Sequence, residues 1–215
     1  MSLAEELQRG IAQLGITLGT DAQAKLLDYL ALLHKWNRTY NLTAIHDPQQ
    51  MVSHHLLDSL AVMPHLWAGR WLDVGCGAGL PGLVLAIAQP DWNFTLLDSN
   101  SKKTSFVQQA IIELDLHNVS VYCARVEEWQ AMERFDGIIS RAFSELGAFL
   151  RCTRHLLAPH GHWAAMKGVP QQELAGVPEG CRVERVISIQ VPGLHAARSL
   201  VIACNDSNLK ESKAT

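Results

Sequence analysis

The segment Arg70-Trp-Leu-Asp-Val-Gly-Cys-Gly-Ala-Gly-Leu-Pro-Gly82 decides how the chain is read. A short apolar run ends in glycines at 75, 77, 79 and 82 and passes at once into Leu83-Val-Leu-Ala-Ile-Ala88. This reads as a strand, a tight turn and the start of a helix, with Pro81 suited to the first helical turn. Glycine accepts positive φ and, lacking Cβ, lets a ligand rest against bare backbone. The free N–H groups of the helix start add the positive end of a dipole.

Working outward, Phe94-Thr-Leu-Leu-Asp98 reads as a second strand ending in a carboxylate placed to accept ribose hydroxyls. The glycines fit two ligand classes. Gly77-x-Gly79-x-x-Gly82 satisfies the dinucleotide pattern, whereas Asp73-x-Gly75-x-Gly77-x-Gly79 has the form of S-adenosylmethionine sites. Asp73 tilts the choice to the second, because a carboxylate there would attract a cationic amino-acid group and repel a pyrophosphate.

Strands are predicted near 70–75, 93–98, 119–124, 136–141, 161–167, 182–190 and 199–204, with helices between most of them, including an amphipathic one from Lys102 to Leu116. Such alternation implies a parallel sheet covered on both faces. Only Pro192 to Arg198 separates the last two strands, so they are expected to pair antiparallel. The predicted fold is α/β: a Rossmann-like class I S-adenosylmethionine-dependent methyltransferase fold, with a seven-stranded, mostly parallel sheet ending in an antiparallel hairpin. Nicotinamide-binding domains usually continue with a sixth parallel strand instead. Residues 1–67 form a small helical lobe in this reading. It has an apolar stripe at Leu26, Leu27, Leu30 and Leu33 on a helix near 21–38, a loop over 37–44 and a further helix from Asp47-Pro48. Residues 68–204 form the cofactor domain, and the polar stretch 205–215 is expected to be a disordered tail.

A chain of 215 residues with 48% hydrophobic and 18% charged content can bury one sizeable core. No run approaches the roughly 18 apolar residues of a membrane span, and the acidic start Met1-Ser-Leu-Ala-Glu-Glu-Leu lacks a signal-peptide pattern, so a cytoplasmic enzyme is expected, and a monomer is the working expectation although no residue pattern reveals the oligomeric state. The five cysteines form no CxxC pair, which suits reduced, buried thiols, and nothing beside Cys76 lowers its pKa for nucleophilic work. A net charge of -3 gives no global attraction to nucleic acid. Any RNA contact needs a local basic rim, drawn from groups such as Lys102, Lys103, Arg125, Arg141, Lys167 and Arg198. His54 and Asp58 lie four apart on a helical face, but no further ligands stand at a recognisable spacing, so no metal is expected.

Ligands of open α/β sheets gather outside the carboxyl ends of the strands. That rule selects Gly75 to Gly79, Asp98, Val126 with Glu127, and Arg141. A helix N-terminal acid pair is the structural alternative for Glu127 and Glu128, and an inward salt bridge to Asp98 or Glu127 is the alternative for Arg141. Methyltransferases acting on exocyclic amines commonly carry Asp/Asn-Pro-Pro-aromatic after the fourth strand, whose oxygens accept amine hydrogens. Here the words are Ser140-Arg-Ala-Phe143. Arginine donates hydrogen bonds but cannot accept a proton. Guanine N7 bears a free lone pair and needs none removed, so alignment and desolvation can suffice.

With these residues in view, the chain resembles the glucose-inhibited division protein B family, the bacterial small-subunit ribosomal RNA methyltransferase G, from about Leu26 to Ala203. The words that carry the resemblance are Leu33-His-Lys-Trp-Asn37, Tyr40-Asn-Leu-Thr43, His55-Leu-Leu-Asp-Ser59, Gly79-Leu-Pro-Gly82, Leu96-Leu-Asp-Ser99, Arg125-Val-Glu127, Ser140-Arg-Ala-Phe143 and Lys167-Gly168. The resemblance implies methyl transfer from S-adenosylmethionine to N7 of one guanine in the decoding-region loop of 16S rRNA, on the RNA or the 30S particle. It also implies that Gly75, Gly77 and Leu80 line the methionine end of the cofactor, Asp98 the ribose, and Val126 and Glu127 the adenine, with Arg141 beside cofactor and guanine as the catalytic positioning group. Cys76-Gly-Ala-Gly replaces the Thr-Gly-Pro-Gly frequent in relatives and is expected to loosen the turn slightly. A small-molecule methyltransferase, a nicotinamide-binding redox protein and a noncatalytic assembly factor are the alternatives.

Overall fold

The computed structural model describes residues 1–206 other than Ala142 and Ser144. Of the tail expected from 205, Asn205 instead closes the last strand, and 207–215 lie outside the described residues.

Seven strands form one sheet in the order β3-β2-β1-β4-β5-β7-β6. They are β1 (Arg70–Val74), β2 (Asn93–Asp98), β3 (Val119–Cys123), β4 (Phe135–Arg141), β5 (Leu157–Lys167), β6 (Cys181–Ile189) and β7 (Arg198–Asn205). The first five are parallel, and β7 runs antiparallel between β5 and β6. β1 and β4 are themselves parallel, but successive strands are added leftward from β1 to β3 and rightward from β4 onward, so the β1–β4 junction is the switch point of the sheet.

Side chains on a strand alternate between faces, and here the alternation separates two cores. Trp71, Phe94, Leu96, Ile139, Ala164, Met166, Leu200 and Ile202 join one apolar cluster. Leu72, Val74, Leu97, Ile138, Trp163, Ala165, Val201 and Ala203 join the other. The second cluster is closed by α7 (Leu146–Thr153) through Leu146, Phe149 and Leu150. The first takes in α5 (Gly82–Ala88), α6 (Ser101–Glu113) and the whole N-terminal lobe, so lobe and sheet share one core.

That lobe comprises α1 (Leu3–Gln13), α2 (Thr20–Tyr40) and a composite helix: α3 (Pro48–Met51), a π-helical stretch (Val52–Leu57) and α4 (Asp58–Leu60). The loop expected from Asn37 is corrected, since α2 continues to Tyr40 and ends at Asn41 in the left-handed conformation, φ 49°. Asn37 carries a turn signal yet stays helical because its buried amide is satisfied: it donates to the Ile45 carbonyl at 3.1 Å and accepts the Thr43 N–H at 2.8 Å. The next segment is thereby folded back along the helix.

Tyr29 ties the lobe to the glycine turn, its hydroxyl donating to the Ala78 carbonyl at 2.7 Å with both residues buried. Tyr29→Phe keeps the ring and strands that carbonyl, so we expect a loss of about 1–3 kcal/mol in urea unfolding, the usual cost of an unsatisfied buried acceptor. An unchanged unfolding midpoint would contradict this role.

Candidate active site

Backbone donors and two carboxylates hold the turn after β1. Asp98 Oδ2 accepts the Gly77 N–H at 2.9 Å, and Oδ1 accepts the Asn100 N–H at 2.8 Å. The N–H groups of Gly75 and Cys76 both donate to the Leu97 carbonyl, at 2.8 and 3.1 Å. At the far end Asp73 Oδ2 accepts the Gly82 N–H at 2.8 Å. Pro81 occupies the cap position, one residue before the first turn of α5. Gly75 sits at φ +68°, and a Cβ there would meet nothing within 4 Å, so the backbone faces open space. At Gly82 a Cβ would lie 2.8 Å from Asp73 Oδ2 and 3.0 Å from Leu96, so only glycine lets the helix start approach the two strands.

Gly75 opens on a cavity of about 310 Å³ at the carboxyl edge of β1, β2 and β3. Its wall includes Gly75, Asp98, Ala124, Val126, Glu127 and Phe143. Four of the residues singled out in the sequence meet there: Gly75, Asp98, Val126 and Glu127. Gly77 is joined to them through its N–H on Asp98. Leu80 is 4% exposed and packs in the core cluster rather than on the cavity wall. Residues 126–128 form a turn, so Glu127 and Glu128 do not head a helix.

Asp73 is corrected. It is fully buried, faces the Gly82 N–H and contributes nothing to the cavity wall, so it does not offer a carboxylate to a ligand there. Cys76 is 1% exposed, and burial, followed by the nearby Asp73 and Asp98 charges, pushes its thiol well above the usual range.

The salt-bridge alternative for Arg141 is corrected as well. Its ion pair is with neither Asp98 nor Glu127 but with Asp58 of the lobe, Nη1 to Oδ2 3.1 Å, and the same nitrogen donates to the His54 carbonyl at 2.9 Å. Asp58 Oδ1 takes a second arginine, Arg198, at 2.9 Å. Of the two groups four apart on the helix, Asp58 is a carboxylate shared by two guanidiniums, and the His54 ring nitrogen Nδ1 pairs with Ser53 Oγ and the Gln50 carbonyl. Ile45, His54, His55, Asp58, Arg141, Met166, Lys167, Gly168 and Arg198 line a second cavity of about 350 Å³. Burial, and then the Arg141 charge, lowers His55 to about 4. Asp58 could have been flagged from sequence as a carboxylate among Leu56, Leu57 and Leu60 on an apolar helix; its partners 83 and 140 residues away could not.

Burial of Asp73 outweighs the Gly82 N–H and the Arg141 charge and pushes its carboxyl from 3.8 up to about 7. A carboxyl raised in the folded state keeps its proton after the unfolded chain has lost it. Its contribution to stability is complete below pH 3.8, fades as pH rises and is gone above about 7. Asp73→Asn, which does not titrate, should therefore gain on the native chain across that window, by at most about 1.4 kcal/mol per pH unit, and hold a constant difference above it. Urea unfolding of both proteins at a series of pH values checks this; a difference flat across the window would contradict it.

With the geometry in hand, comparison with known proteins places the chain. The family model for rRNA small subunit methyltransferase G matches residues 22–202. The ribosomal RNA small subunit methyltransferase G of Laribacter hongkongensis is 54% identical over 202 residues, covering 94% of this chain and 98% of its own. That of Pseudomonas aeruginosa is 53% identical over 201 residues, covering 93% and 94%. Among solved structures, the N-methyltransferase NodS of Bradyrhizobium japonicum, in complex with S-adenosyl-L-homocysteine, aligns over 81% of this chain and 98% of its own with a TM-score of 0.56 at 15% identity, a likeness of fold. The family match over most of the chain, together with half-identical relatives of the same length, shows that this chain belongs to the rRNA small subunit methyltransferase G family.

Proposed function

We propose that this protein transfers a methyl group from S-adenosylmethionine to N7 of a guanine in small-subunit ribosomal RNA. The observation that carries the reading is a glycine-backed cavity with Asp98 on its wall, at the carboxyl edge of a methyltransferase sheet, in a chain of this family.

The residues present fit the cofactor. Gly75 offers open backbone, and each oxygen of Asp98 accepts one backbone N–H, which leaves lone pairs for ribose hydroxyls. Val126 and Glu127 would flank the adenine. When bound, S-adenosylmethionine supplies an electrophilic methyl carried on a sulfonium. The antiparallel β7 between β5 and β6 supports this cofactor over a nicotinamide.

The chain's own groups then have to seat the guanine and exclude water. Asp58, the acid paired to Arg141, is committed to two arginines, and Arg141 has no lone pair to offer. Among the described residues that line the second cavity, the one carboxylate is Asp58, already engaged by both arginines, so an exocyclic amine would find no free carboxylate there, whereas N7 requires none. Holding reactants aligned can supply up to about 7–11 kcal/mol of the barrier reduction, so positioning is sufficient in kind. A cytoplasmic setting agrees with the ribosomal substrate and with five unpaired thiols, and no helix among the described residues is long and apolar enough to cross a membrane.

The test is methyl transfer from labelled S-adenosylmethionine to naked rRNA, small-subunit particles and intact ribosomes, each lacking the modification, with the product nucleoside identified. N7-methylguanosine is expected on at least one. Asp98→Ala removes both the ribose acceptor and the anchor on the Gly77 N–H, so it should weaken S-adenosylmethionine binding by about tenfold or more, or ~1.4 kcal/mol. Label on another nucleoside, or an Asp98→Ala protein that binds and turns over normally, would contradict the reading.

A further inference from the structure

The two cavities lie side by side along the carboxyl edge of the sheet. The first spans β3, β2 and β1; the second spans β4, β5 and the start of β7, where Arg198 enters. Their boundary is the β1–β4 junction, where Arg141 ends β4 two residues beyond the Asp73–Ile139 register.

The second cavity has three cations, and they are not equivalent. Lys167 is committed: its ammonium is 2.7 Å from Glu173 and donates to the Phe143 carbonyl at 2.9 Å. Arg141 and Arg198 share the single carboxylate of Asp58, whose side chain is 2% exposed. Arg141 also donates to the His54 carbonyl, and Arg198 Nη1 donates to the Ala197 carbonyl at 3.1 Å. The Nη2 groups of both have no protein partner among the described residues, on side chains 22% and 29% exposed. One carboxylate against two guanidiniums leaves surplus positive charge and N–H donors to spare on the cavity lining, and neutral His55 neither adds to it nor offsets it. The π-helical stretch Val52–Leu57 delivers the acid: its wider turn sets the register of Asp58 at the sheet edge, a use of π-helical geometry common at functional sites.

We infer that the second cavity seats a backbone phosphodiester of the target guanosine, gripped by Arg141 and Arg198, with Asp58 as the positioning residue that aligns both guanidiniums. The inference rests on the methyl-transfer reading above. Planar guanidinium forks match phosphate oxygens and gain strength from the charge, which a neutral small substrate would leave unused. A phosphate anchored beside the β1–β4 junction would hold the attached base toward the first cavity. The competing role for Asp58 is simple neutralisation of two cations at the seam between lobe and sheet. The two roles differ in what its amide would do: a neutraliser's loss frees the arginines and leaves turnover intact, whereas a positioning residue's loss lowers turnover even where RNA binding persists.

The experiment uses unmethylated small-subunit particles, with binding measured over a salt series and transfer at saturating S-adenosylmethionine. Arg198→Ala should lower the slope of log affinity against log salt by about 1, one phosphate contact's worth. It should also raise KM for the particle about tenfold, the scale of one lost charge-assisted hydrogen bond. Asp58→Asn should lower kcat about tenfold while the Kd for S-adenosylmethionine stays within about twofold. An unchanged salt slope and KM in Arg198→Ala overturns the phosphate seat. Unchanged kcat in Asp58→Asn, or a loss of cofactor affinity matching its loss of kcat, overturns the positioning role. The salt series reads the phosphate contact without any transfer, so inactivity of the unaltered enzyme would be recognised as failure of the methyl-transfer reading itself.

Discussion

Two carboxylates at the ends of neighbouring strands grip one glycine turn by its backbone, and the cavity depends on that grip. Asp98 takes the Gly77 N–H and Asp73 takes the Gly82 N–H, both within 2.9 Å, while Tyr29 takes the Ala78 carbonyl between them. All three anchors address main-chain atoms. The side chains of the turn are therefore free to vary, which explains how Cys76 and Ala78 stand here without opening the structure: both are buried, and the Cys76 thiol is held in its protonated, unreactive form. The open backbone at Gly75 follows from the same geometry, since fixing the turn from behind and at both ends leaves one face for a ligand.

The N-terminal lobe belongs to this arrangement rather than decorating it. Its helices share one apolar cluster with α5, α6 and one face of the sheet, so its stability is that of the whole core. That packing brings Asp58 to the end of β4 and the beginning of β7, where a single buried acid meets two arginines. A buried ion pair adds little stability for its desolvation cost, but breaking one by removing a partner is expensive. The retention of three charges at one seam is thus better explained by the direction they impose on the guanidiniums than by stability.

Most of the architecture was legible because it rests on local periodicity. Alternating apolar runs and turn signals predict all seven strands, the parallel core and the terminal hairpin, and the glycine word with Asp98 marks the cavity. What the sequence could not carry was orientation across distance. Asp73 precedes the glycines as expected, yet strand alternation places it with Trp71 on the α5 side of the sheet, so its carboxylate caps a helix start instead of facing a ligand. The preference for S-adenosylmethionine rests on the order of the strands and the family match. Arg141 was visible as an arginine where other methyltransferases carry acceptors, but its partner came from the lobe, through a π-helical register that no residue pattern announces. Asn37 was misread because its amide's partners, at 43 and 45, exist only once the chain has folded back.

The central claim is that the adenosine of the cofactor lies over Asp98 with its sulfur end directed toward the β1–β4 junction. A crystal structure of the protein with S-adenosyl-L-homocysteine tests this most directly. The account predicts ribose hydroxyls on the Asp98 carboxylate, adenine beside Val126 and Glu127, and sulfur near Gly75 on the side of Arg141. A ligand bound elsewhere, or one in this cavity with its sulfur end turned toward β3 and away from Arg141, would contradict it.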